Sequence, residues 1–79
     1  MDMIIKTNEP IKIKLTGLEY YDIGIEVNGI DYAVLRDFES IAKLDIVKLR
    51  EWIEQTYYDN SYLSPAYIPA SLQFSEFTK

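Results

Sequence analysis

Apolar and polar side chains alternate strictly through Ile11-Lys12-Ile13-Lys14-Leu15-Thr16, the period of a strand with one buried and one wet face. Gly17 ends that run. A second alternation sets Tyr21, Ile23, Ile25 and Val27 on one side and Asp22, Gly24 and Glu26 on the other, and it stops at Asn28-Gly29. Asn-Gly between two strand-like runs predicts a two-residue type I′ turn, because both central residues of that turn need positive φ. The following run, Ile30 to Leu35, then folds back with Val27 facing Ile30, Ile25 facing Tyr32 and Ile23 facing Val34 on one apolar face. The same register sets Glu26 opposite Asp31 on the wet face, with a Gly24/Ala33 pair between them and Asp22.

After Arg36-Asp37 the period changes. Phe38, Ile41, Ala42, Ile46, Leu49, Ile53 and Tyr57 recur at helical spacing and predict a helix over most of Ile41 to Tyr58. Asp37, Ser40 and Asp45 are all good N-caps, so one continuous helix and two pieces bent near Leu44 both remain open. Trp52 lies one step off the apolar stripe, where it either widens the core face or is exposed. Asp59-Asn60-Ser61 is a stop signal, and Pro65 and Pro69 exclude a long regular element in the next stretch. Ser71-Leu72-Gln73-Phe74-Ser75 alternates as a short last strand. The expected fold is α+β: a three- or four-stranded antiparallel sheet with an Asn-Gly hairpin, packed against one main helix that covers Ile23, Ile25, Tyr32 and Val34. Residues 1–79 read as one small domain, with 1–10 a flexible lead and 61–79 an irregular tail holding the last strand.

Composition narrows the chemistry. At 79 residues the chain is near the lower limit for folding without disulfides, metal or a partner, so its stability margin is thin. It has no cysteine and no histidine, which removes disulfides, thiolate zinc sites, iron-sulfur clusters, a cysteine nucleophile and the commonest general base together. The three glycines form neither a phosphate loop nor a dinucleotide fingerprint. A divalent-cation site on Asp22, Glu26 and Asp31 would need further ligands and a pocket. The reading is therefore of a non-enzyme with no cofactor and no metal. The amino terminus does not resemble a secretory signal and no run is long enough to span a bilayer, which gives an expectation of a cytoplasmic protein.

Charge is where the sequence hints at partners. The net charge is -5. Between Glu19 and Glu39 six acids (Glu19, Asp22, Glu26, Asp31, Asp37, Glu39) face one base, Arg36, so this stretch alone carries six minus one, a local -5. Such a surface repels phosphate backbones and suits a basic protein surface, unless it is simply a solvated face helped by Lys12 and Lys14. Five of the seven tyrosines, Tyr20, Tyr57, Tyr58, Tyr62 and Tyr67, fall at element ends or in the tail, where they either seal the rim of a small core or contact a partner. The Ser40 to Ile53 segment has a faint helix-turn-helix pattern, but its turn lacks glycine and the supposed reading helix carries Glu51 and Glu54.

Lys14-Leu15-Thr16-Gly17, the run Ile25-Glu26-Val27-Asn28-Gly29-Ile30-Asp31-Tyr32 and the acidic start Glu39-Ser40-Ile41 resemble the small acidic anti-CRISPR inhibitors encoded by phages and prophages. The resemblance covers about the middle half of the chain, which lacks the leading helix and dense acidic tail of that group. It implies a phage protein in the host cell cytoplasm, acting as a DNA mimic on a CRISPR effector or other nuclease through Asp22, Glu26, Asp31, Asp37 and Glu39. The function expected is a protein-binding inhibitor that docks an acidic hairpin on a basic surface of a nucleic-acid-handling protein, without binding nucleic acid or membrane itself. Its partner-binding residues are Glu19, Asp22, Glu26, Asp31, Asp37, Glu39, Tyr57, Tyr58 and Tyr62. Two other classes stay open: a DNA-binding regulator using residues 41–58, and a structural homo-oligomer or homodimer packed through the tyrosines.

Overall fold

A computed structural model describes residues 2–7, 10–59 and 69–79. Five strands, β1 (Asp2–Ile5), β2 (Ile13–Thr16), β3 (Ile23–Val27), β4 (Ile30–Arg36) and β5 (Ala70–Gln73), form one sheet in the order β1-β2-β3-β4-β5. One helix, α1 (Ile46–Asp59), connects β4 to β5 and packs on a single face of the sheet, with short 3-10 turns at Ile41–Lys43 and Phe74–Phe77. The fold is α+β, as the switch from period two to helical period predicts.

The core is what the alternating strands dictate. Ile13, Leu15, Ile23, Ile25 and Val27 point inward and are buried, and they meet Leu49 and Ile53 of α1. Burying an aliphatic side chain of this size contributes about 1.5–3 kcal/mol, so these positions carry the fold. Rings close the rest of the core. Tyr32 lies 6.3 Å from Trp52 and 5.9 Å from Tyr57 between centroids, Trp52 lies 6.2 Å from Phe77, and Phe38 lies 5.1 Å from Phe74. Trp52 thus widens the core face.

Relative to the sequence expectations the fold has one added strand, two corrections and one open alternative resolved. Within the lead segment Asp2 to Ile5 form a strand, β1, pairing antiparallel with β2 from Asp2↔Thr16 to Ile5↔Ile13. Its Met3-Ile4-Ile5 run lacks alternation, which hid it from a period-two reading. The sheet is not purely antiparallel, because β5 runs parallel to β4 from Ala33↔Ala70 to Arg36↔Gln73. A helix placed between two neighbouring strands carries the chain back to its starting end, so the second strand must run with the first.

The hairpin register also differs. Val27 pairs with Ile30 across Asn28 and Gly29, whose φ values are 54° and 81°, and Glu26 pairs with Asp31. The next pair is Ile25↔Ala33, so Tyr32 is an extra residue opposite the ladder, a β-bulge. Beyond it Gly24 pairs with Val34 and Ile23 with Leu35. The bulge turns both Tyr32 and Ala33 inward and places Leu35, not Val34, in the core; Val34 is left half-buried on the outer face. Finally, the helical region is two pieces. The 3-10 turn is closed by Leu44, which bridges to Thr78, and α1 starts at Ile46 with Asp45 as its cap: Lys48 N donates to Asp45 Oδ1 at 3.0 Å.

Candidate functional site

The six acids do not form one face. Glu26 and Asp31 sit side by side at the Asn28-Gly29 end of the hairpin. Lys14 is the cross-strand neighbour of Glu26, and its Nζ lies 3.4 Å from Asp2 Oδ2, so cations already interleave with these acids. The expected Gly24/Ala33 pair is absent because the bulge moves Ala33 inward. Thr16 and Gly24 pair here on the outer face, and a Cβ at Gly24 would lie 2.6 Å from Thr16 Oγ1. This part of the sheet is therefore a tight, mixed-charge surface.

Glu19, Asp22, Asp37 and Glu39 gather at the other end. Gly17, at φ 75°, turns the chain out of β2, and Tyr20 N donates to Gly17 O at 2.9 Å. The segment Leu18-Glu19-Tyr20-Tyr21-Asp22 then crosses the end of the sheet before β3 begins. The start of β3 at Ile23 explains why Tyr21, expected inward by alternation, is 82% exposed, while Tyr20 is 65% exposed. Facing this segment is the chain leaving β4. Phe38 N donates to Tyr21 O at 2.6 Å, and Asp37 takes a positive φ of 59°. The Asp22 carboxylate clamps the two: Oδ1 accepts from Asp37 N at 3.3 Å and Oδ2 accepts from Arg36 Nη1 at 3.1 Å. Arg36 also donates through Nε to Ser71 Oγ at 2.8 Å, so the one base of the acidic stretch is held within the sheet.

Between the two segments lies an open cleft of about 260 Å³, lined by Leu18, Glu19, Tyr20, Tyr21, Phe38 and Glu39. Phe38 is buried and packs on Phe74, so one wall is rigid and apolar, while two exposed tyrosines and two carboxylates supply the others. Glu39 meets Lys43 at 3.2 Å, but both side chains are more than half exposed, and such a pair is worth roughly 0–1 kcal/mol. A cleft of this composition suits a cation on an apolar stem, such as a lysine or arginine side chain, because carboxylates attract the charge and tyrosine rings offer apolar area for the stem.

The remaining predicted residues are placed elsewhere. Tyr57 is half-buried at the hairpin tip, where its ring lies tilted against Tyr32 and its hydroxyl accepts from Asn28 Nδ2 at 3.2 Å. This is the position of a rim-sealing ring. Tyr62 and Tyr67, like Leu63, Pro65 and Ile68, lie outside the described residues, as does the side chain of Tyr58. Asp22 stands at the opposite end of β3 from Glu26 and Asp31, and among the described residues no three acidic side chains converge as a metal site. The segment before α1 is a three-residue 3-10 turn, and Arg50 on α1 is paired with Glu54 at 3.3 Å. Among the described residues no helix is long and apolar enough to cross a membrane. Tyr21, Leu18 and Phe38 were not visible as site residues in the sequence. The signal that points to them is the adjacent Tyr20-Tyr21 pair, which breaks alternation by exposing two large rings in succession. No protein-family model matches the chain, and no curated protein or solved structure matches it significantly.

Proposed function

We propose that this chain is a non-enzymatic protein-binding module that docks the cleft end of its sheet on a basic surface of a partner protein. The observation that carries the reading is the grouping of Glu19 and Glu39 with two exposed tyrosines around one cleft, with Asp22 and Asp37 on the flanking segments and Arg36 already engaged by Asp22 and Ser71. Tyrosine offers rigid contact area at low entropic cost, and carboxylates steer a basic partner and fix its register. The partner class that fits is a nucleic-acid-handling protein, whose lysine- and arginine-lined groove is built to receive phosphates. Carboxylates in that groove compete with nucleic acid without any chemistry, which is inhibition by occupation.

The experiment is an NMR titration of the protein with an oligolysine peptide, followed by affinity capture of a basic partner with charge-reversed variants. Amide shifts concentrate at Glu19 to Asp22 and Phe38 to Glu39, and they vanish at high salt. Glu19→Lys with Glu39→Lys weakens binding by about tenfold or more, the scale of two lost charge contacts of roughly 1 kcal/mol each. Glu26→Lys with Asp31→Lys has a smaller effect. A titration that shifts Glu26 and Asp31 but leaves the cleft unmoved sinks the reading.

A further inference from the structure

We propose that the outer edge of β1 is a self-docking site, at which two copies of this chain pair their first strands antiparallel about a two-fold axis through Ile4. Among the described residues β1 pairs with β2 alone and ends the sheet, so its second edge has backbone N–H and C=O groups available for another strand. Ile4, in the middle of that strand, is 72% exposed, one of the most exposed large apolar side chains of the protein.

The side-chain order of β1 says what fits there. A two-fold axis perpendicular to the sheet keeps both helices on one face and pairs residues whose numbers have an even sum. Centred on Ile4, it sets Ile4 against Ile4 of the second copy, Met3 against its Ile5, and Asp2 against its Lys6. Every contact is complementary. The exposed Ile4 side chains cover each other on the outer face, Met3 and Ile5 continue the two cores, and opposite charges meet at both ends. Centring on Met3 or Ile5 instead would set Ile4 against Asp2 or Lys6, so one register is singled out. Charged residues commonly keep an edge strand from pairing, but here their spacing favours one partner, a second copy of the same strand. Asp2 also lies 3.4 Å from Lys14, so in the pair it sits between two cations.

A five-residue pairing covers much less than the roughly 1,200 Å² of a standard interface, so the dimer is weak, with a Kd on the order of 10⁻⁵ M. Sedimentation velocity of the intact chain across a concentration series tests it. The parent shows a concentration-dependent shift to dimer. Ile4→Lys abolishes that shift while the circular dichroism spectrum and melting transition are kept, because the position is exposed. Asp2→Lys and Lys6→Asp each weaken self-association about tenfold at low salt, since like charges then face each other twice. Mixing the two variants restores the dimer as a heterodimer, as does the double swap within one chain. A parent that stays monomeric at about a hundred times the expected Kd overturns the proposal. So does a dimer whose affinity ignores Ile4→Lys, which would place the contact on another surface. Both readouts use the protein alone, so they are independent of the partner-binding reading.

Discussion

At the Asn28-Gly29 end of the central hairpin, Glu26 and Asp31 lie in regular ladder positions, with Lys14 as the next neighbour and Tyr57 bonded to the turn. At the opposite end the same kinds of side chain, Asp22, Asp37, Glu19 and Glu39 with Tyr20 and Tyr21, stand on irregular chain that crosses the sheet. The difference is one of backbone. A ladder spaces acids among their cross-strand partners and holds them flat, whereas two converging loop segments can place several acids and rings around one concavity. Recognition surfaces concentrate on such irregular segments because a rigid scaffold positions them.

The largest effect is expected from removing the core that both ends share. Ile25 is buried in the middle of β3, and Ile25→Asp would place a carboxylate there with no partner, at a cost exceeding the roughly 3–5 kcal/mol that a core of this size supplies. Loss of the cooperative melting transition is expected at both ends together; a transition near the parent's would mean that the two ends rest on different packing. Gly29→Ala separates the ends. Gly29 has φ 81° and open space around it, so the substitution strains the turn by about 1–2 kcal/mol without a clash and leaves the cleft intact. Chemical denaturation should report that loss, while oligolysine binding stays within twofold. The smallest effect is Glu26→Lys. It loses the Lys14 neighbour and gains Asp31, so stability changes by no more than about 0.5 kcal/mol. A larger loss would show that the ladder acids are structurally engaged.

Much of the fold is legible in the chain. The alternation at Ile13 to Thr16 and Ile23 to Val27 marks which side chains are buried, and the helical spacing of Ile46, Leu49 and Ile53 marks α1. What was not legible has specific causes. β1 is four residues long and mostly apolar, and such short runs carry little periodic signal. The bulge at Tyr32 depends on how a large ring docks against Trp52 and Tyr57, which are 20 or more residues away in sequence. The cleft depends on Phe38 being pulled against Phe74 while Asp22 ties Asp37 back to the start of β3. None of these contacts is local. Of the candidate acids, the sequence identified the residues but not their division between two ends of the sheet.

Local periodicity, turn chemistry and charge count are properties of neighbouring residues, so an α+β domain, an inward apolar face and a concentrated acidity can be read along the chain. The tertiary structure decided the direction of β5, the bulge that exchanges Leu35 for Val34 in the core, and which acids share a cleft. Those outcomes turn on how rings and aliphatic groups from distant segments fill one small interior, and close packing of that kind is settled only when all the segments are present at once.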